Sequence, residues 1–154
     1  MSSFTVDLSG LTALRQVVRD FGEKVKEDVA MAGAAAGAKA MYLSAKMHAP
    51  ESDEVHTFYG RNSKKNGVTY TFLPGNLKRS IYRAFREEAS GPTLKSYRIS
   101  WNHFKAPYGH MVEFGTSRAA AHPFLGAALC EFPMAYRYAK EAMADQLQQI
   151  VRRR

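Results

Sequence analysis

Apolar or small residues recur at positions 14, 18, 21, 25, 29, 32, 36, 40, 43 and 47. That spacing of three and four, held for about nine turns, keeps one helix face dry and fits no strand. One long helix near the N-terminus is therefore expected. Ser9 is available as its N-cap, and Ala49-Pro50 is its stop, because a residue before proline avoids the α region. Gly22, Gly33 and Gly37 each weaken it by ~1 kcal/mol relative to alanine, so a bend is expected. Gly33 and Gly37, four apart, also suit close helix packing in water.

A second apolar series runs through 125, 129, 132, 136, 139, 143, 147 and 150. Proline is tolerated in a helix's first turn but costs ~3 kcal/mol in its interior, so Pro133 predicts a short turn over 124–130 and a longer helix from Pro133. Between the two series the period changes to two. Val68, Tyr70 and Phe72 alternate with threonines, and Tyr97, Ile99 and Trp101 alternate with arginine and serine, as in half-buried strands. Residues 81–88 are the expected partner of the second strand across Ser90-Gly91-Pro92, and Asn76 is placed to cap a single turn over 76–80. The segment 51–66 is polar and aperiodic and reads as a long exposed loop. The sum is an α+β fold: a long N-terminal helix and a C-terminal helix packed on a small antiparallel sheet, with a long basic loop.

The chain has 154 residues, enough for one domain, 1–154, with 51–73 as an inserted loop and strand and 152–154 as a short basic tail. A lone cysteine, Cys130, permits no intramolecular disulfide, fits an intracellular assembly environment and is expected to be a small core residue. No secretory pattern is read at the N-terminus, and the alanine-rich run 29–38 is about half the length of a membrane span.

The net charge is +8, and its sharpest feature is a stretch from Arg61 to Arg86 holding Arg61, Lys64, Lys65, Lys78, Arg79, Arg83 and Arg86 without an acid. Such a segment expects a polyanion or an acidic protein surface. Tyr59, Tyr70, Phe72 and Tyr82 interleave with the charges, as in nucleic-acid binders, and equally as core aromatics beside a solvated basic face. No sequence-reading DNA motif is present, so the nucleic-acid alternative is a non-specific one. His110 and Glu113 lie three apart on a short helix expected from near Pro107, but His48, His56, His103 and His122 give no third ligand at metal spacing. No nucleophile elbow, cysteine–histidine pair, cofactor loop or shared carboxylate cleft is legible. The expectation is a protein that is not an enzyme, with no cofactor and no metal.

In the segment 106–125, Gly115 is expected to be a helix C-cap in the left-handed conformation, with Thr116 opening the outgoing loop. Glu113 either bonds amides or an arginine of its own domain or pairs with Arg79 or Arg83 of a neighbouring subunit. Pro123 aims the last helices, and Phe124 is a core anchor or an interface anchor.

Taken in order, Ala49-Pro50, then Gly75-Asn76-Leu77-Lys78-Arg79-Ser80-Ile81, Tyr108, Val112-Glu113-Phe114-Gly115-Thr116 and His122-Pro123-Phe124-Leu125 form a spaced set. It resembles the head-to-tail joining proteins of long-tailed phages, the neck or tail-completion family that includes minor tail protein Z-like sequences. The resemblance covers roughly residues 10 to 130 as islands; 51–73, which separates islands nearly adjacent in many members, lies outside it. It implies a structural virion protein, assembled in the host cytoplasm and located at the head–tail junction. Its implied partners are copies of itself in a ring, sixfold from the tail symmetry of such phages, and the neighbouring head-connector and tail-terminator or tail-tube proteins. DNA passing through a positive lumen is a further implied contact, and no membrane is. The basic segment is the expected lumen or partner contact.

Overall fold

The computed structural model describes residues 9–59, 65, 67 and 69–152. Expectations for Arg61, Lys64 and Val68, and for the last two residues of the basic tail, fall outside them. The fold is α+β. Helix α1, Ser9–His48, is followed by strands β1, His56–Tyr59, and β2, Thr69–Phe72. A one-turn helix α2, Asn76–Ser80, leads straight into β3, Ile81–Phe85. A 3-10 turn, Glu87–Ala89, precedes β4, Tyr97–Trp101. Three helices close the chain: α3, Gly109–Phe114, α4, Phe124–Cys130, and α5, Phe132–Arg152. No helix among the described residues is long and apolar enough to cross a membrane.

The long helix ends at His48, as Ala49-Pro50 dictates, and Pro133 sits in the first turn of α5. Three local expectations are corrected. The strands do not form one sheet: β1 pairs with β2, from His56 opposite Phe72 to Tyr59 opposite Thr69, and β3 pairs with β4, from Ile81 opposite Trp101 to Phe85 opposite Tyr97. The turn of α2 separates the two antiparallel ribbons. Within the segment expected to be loop, His56–Tyr59 is a strand; at four residues, with His56 and Thr57 exposed, it is too short to show a period. Asn76 does not cap α2. Gly75 takes that position at φ 69° and ψ 10°, and the Asn76 amide instead donates to the Lys105 carbonyl, 2.7 Å, and to the Tyr108 hydroxyl, 3.3 Å.

The closed core lies around the C-terminal end of α1. Ala45, Ala49, Leu77, Ile81, Ala106, Phe124 and Ala128 are buried there, with Tyr42, Ile99, Trp101, Tyr108, Val112 and Leu125 packed around them. Phe124 is fully enclosed and receives the edge of Trp101, ring centres 5.6 Å apart. The expected burial of Cys130 is not found: it is exposed. On a helix of seven residues Phe124 and Ala128, four apart, take the inward face, which leaves Cys130 about 140° from its centre.

Away from this core α1 runs antiparallel to α5, with His48 beside Glu131 at one end and Gly33 against Met143 toward the other. A Cβ on Gly33 would collide with the Met143 thioether, and one on Gly37 would touch the Ala139 methyl at 3.4 Å, so the glycine pair does permit the close approach its spacing suggested. The β3–β4 ribbon is tied to another side of α1 by polar bonds. Arg83 donates to the Ala35 carbonyl, 3.0 Å, and the nearly buried Lys95 ammonium meets Glu27 at 2.6 Å.

The dry faces expected for the long helices are also corrected. On α1, Val18, Leu43 and Met47 are exposed and Val25, Val29, Ala32, Ala36 and Ala40 only half-buried, whereas Gly33, Ala38, Ser44 and Ala45 are buried. On α5, Ala135 is buried with Ala139, Ala142, Gln146 and Ile150 beside it, while Phe132, Tyr136, Met143 and Leu147 stay exposed. Small side chains decide which face can be approached closely, and that face is not the one with the largest residues.

Candidate functional site

The helices α3 and α4 are joined by a loop that the sequence marks with Glu113-Phe114-Gly115-Thr116. Because α4 opens on Pro123, it has no side-chain cap of its own, and its first amides need an acceptor from elsewhere. Glu113 supplies it. One carboxylate oxygen accepts from Phe124 N at 2.8 Å and Leu125 N at 3.0 Å, and the other from Gly126 N at 2.8 Å. A carboxylate on a helix N-terminus is favoured both by these bonds and by the helix dipole. Glu113 is 7% exposed, so it is spent inside its own domain, which leaves no access for an arginine of another subunit. Arg79, one proposed partner, donates to the Pro74 carbonyl at 2.8 Å.

Gly115 has the positive φ expected of it, 74°, but a ψ of −179° rather than the left-handed helical value. This mirror-extended region is essentially open to glycine alone, and a Cβ there would strike Ala121 N and Ala119 O. Thr116 Oγ1 then accepts from Arg118 N, 3.2 Å, and Ala119 N, 3.0 Å, while His122 N donates to the Val112 carbonyl at 2.7 Å. Tyr108 is half-buried, with its ring edge-on to Phe72. Pro123 precedes α4 in an extended conformation, and Phe124 is the core anchor, not an interface residue. Within this segment Phe114 departs from the pattern: it is 77% exposed.

The basic segment is not gathered into one free face among the described residues. Lys78 meets Glu51 at 3.4 Å, Arg79 and Arg83 donate to backbone carbonyls, and Arg86 meets Glu88 at 2.8 Å. The hydrogen bond from Arg86 holds the Glu88 carboxyl below the ordinary glutamate value. Lys65 is exposed. The stretch is acid-free in sequence, yet acids from just outside it reach back to two of its cations.

His110 and Glu113 do not converge: His110 Nδ1 lies 2.9 Å from the Pro107 carbonyl, and Glu113 points into the α4 amides. No cluster of three potential metal ligands occurs among the described residues. Ser44, His48 and Glu131 do align, with Ser44 Oγ 3.4 Å from His48 Nδ1 and His48 Nε2 3.6 Å from Glu131. They form no nucleophilic relay. His48 Nδ1 bonds the Ser44 carbonyl at 2.9 Å, and the adjoining void of about 10 Å³ barely admits a water.

Two surfaces remain open, and composition alone concealed both. One is the outer edge of α1, where Val18, Leu43 and Met47 are exposed and Val25, Val29, Ala32, Ala36 and Ala40 half-buried. The other is a groove of about 640 Å³ whose floor is Ala30, Ala34 and Ala38 of α1 and whose walls are Leu94 and Tyr97 on one side, Leu129 and Tyr136 on the other. Leu129, at 65%, stands among the more exposed large apolar residues. Phe104 is displayed in a similar way, 84% exposed on a turn held by Asn102 Oδ1, which accepts from Phe104 N and Lys105 N. The groove was not legible in the sequence, because its walls come from segments far apart in the chain. No protein-family model matches this chain, and no curated protein or solved structure is significantly similar to it.

Proposed function

We propose that this chain is a structural subunit of a long-tailed phage particle, assembling at the head–tail junction as a ring that completes the neck or tail end and joins it to the head connector. The observation that carries the assembly part of this reading is surface. The chain exposes 11840 Å², where a compact monomer of its mass exposes about 7,800 Å². Large apolar side chains stand exposed on both long helices, as on a subunit whose remaining burial comes from neighbours. The ordered motif islands support the junction part, since their residues build one internally clamped unit and leave Phe114 outside for contact.

On this reading the subunit performs no chemistry, contacts its own copies and the adjoining connector and tail proteins, and resides in the virion. The basic loop with Arg61, Lys64 and Lys65 is, on this reading, a contact to the lumen or to the next ring. The test is particle assembly. In a phage encoding the chain, particles deprived of it accumulate as filled heads and free tails, and purified chain restores joining in vitro. Particles that complete normally without it overturn the reading. The non-specific nucleic-acid alternative makes a different forecast: the isolated chain coats duplex DNA with an affinity that falls by about 0.9 decades per decade of salt for each phosphate neutralised.

A further inference from the structure

The two open apolar surfaces flank the same helix but point different ways. The stripe Val18, Val25, Val29, Ala32, Ala36, Ala40, Leu43, Met47 and the groove floor Ala30, Ala34 lie roughly 140° apart around α1. A chain with one self-complementary patch closes into a twofold dimer, whereas one with two unlike patches on opposed sides propagates head to tail. We infer that the stripe of one copy seats in the α1–α5 groove of the next, which makes this the repeating contact of the assembly proposed above and rests on that reading.

The surfaces suit one another. The floor is built of alanines and the centre of the incoming stripe is Ala32, Ala36 and Ala40, so two helix axes can approach to about 8 Å, the close end of the usual range. Longer side chains flank the small ones on both partners: Val29 and Leu43 on the stripe, Leu94, Leu129 and Tyr136 on the walls. A standard interface covers about 800 Å² per partner, and a copy engaged on both sides covers about twice that, against the roughly 4,000 Å² by which the whole chain exceeds a compact monomer.

The deciding experiment mixes two variants whose changes fall on exposed side chains, with folding checked by circular dichroism. Leu43→Glu/Met47→Glu removes the stripe and keeps the groove; Leu129→Glu/Tyr136→Glu removes the groove wall and keeps the stripe. By mass photometry or light scattering at rising concentration, wild type is expected to form species larger than a dimer, and each variant alone to stay monomeric. Their equimolar mixture is expected to give a one-to-one dimer that grows no further. A mixture that stays monomeric while wild type assembles overturns the stripe-in-groove contact and leaves the assembly reading standing. Either variant assembling alone overturns it in favour of a self-pairing patch. A wild type that remains monomeric throughout overturns it too, and the junction reading then stands or falls on particle joining.

Discussion

The end of the molecule around Phe124 and the end where α1 runs along α5 are built from similar elements and finished differently. At the first, Trp101, Leu77 and Ile81 close on one aromatic ring, and the open amides of α4 are taken up by Glu113. At the second, glycines and alanines bring the helices together while Tyr136 and Leu147 face solvent. Where a region satisfies its own polar groups and buries its own aromatics, its residues explain the fold. Where apolar residues are arranged at helix period and left uncovered, the fold of the single chain does not account for them, and the proposed assembly would.

That contrast can be broken at the closed end first. Phe124→Ala empties the core centre and should lower stability by about 3–5 kcal/mol in urea unfolding. Glu113→Ala strands three amide donors and should cost about 2–4 kcal/mol, with Glu113→Gln milder because one oxygen still accepts. Gly115→Ala forces a glycine-only conformation and should cost about 1–3 kcal/mol, read in the same assay. On the groove wall the contrast sharpens: Leu129→Glu/Tyr136→Glu should shift stability by no more than about 1 kcal/mol while abolishing association, because both side chains are more than half exposed. The smallest effect belongs to Glu88. Its folded-state pKa is depressed by the Arg86 hydrogen bond, so the associated stabilisation is present above the unfolded-state pKa and fades as pH falls through the lower folded value. In an NMR titration of the Glu88 carboxyl, Arg86→Met should raise that pKa toward the ordinary glutamate value.

Much of the local structure was legible. The three-and-four spacing gave the long helix, Pro50 its end and Pro133 the start of the last helix, because these are short-range backbone constraints. The segment around Glu113 was legible as important, and its cap arrangement was one of two open readings. The strand at His56–Tyr59 was not, since four residues inside a polar segment are too few to show a period.

What the sequence by itself determined is the helices, the ends that proline sets and the total of apolar residues, which follow from period, proline and composition. Only the tertiary structure decided which part of that surface is buried. Gly33 and Gly37 let α5 lie on one flank of α1, and Lys95 and Arg83 hold the β3–β4 ribbon on another. A helix face is selected by how closely a neighbour can approach, so the largest apolar stripe of α1 was left open, and burial is a property of pairs of surfaces that no single period encodes.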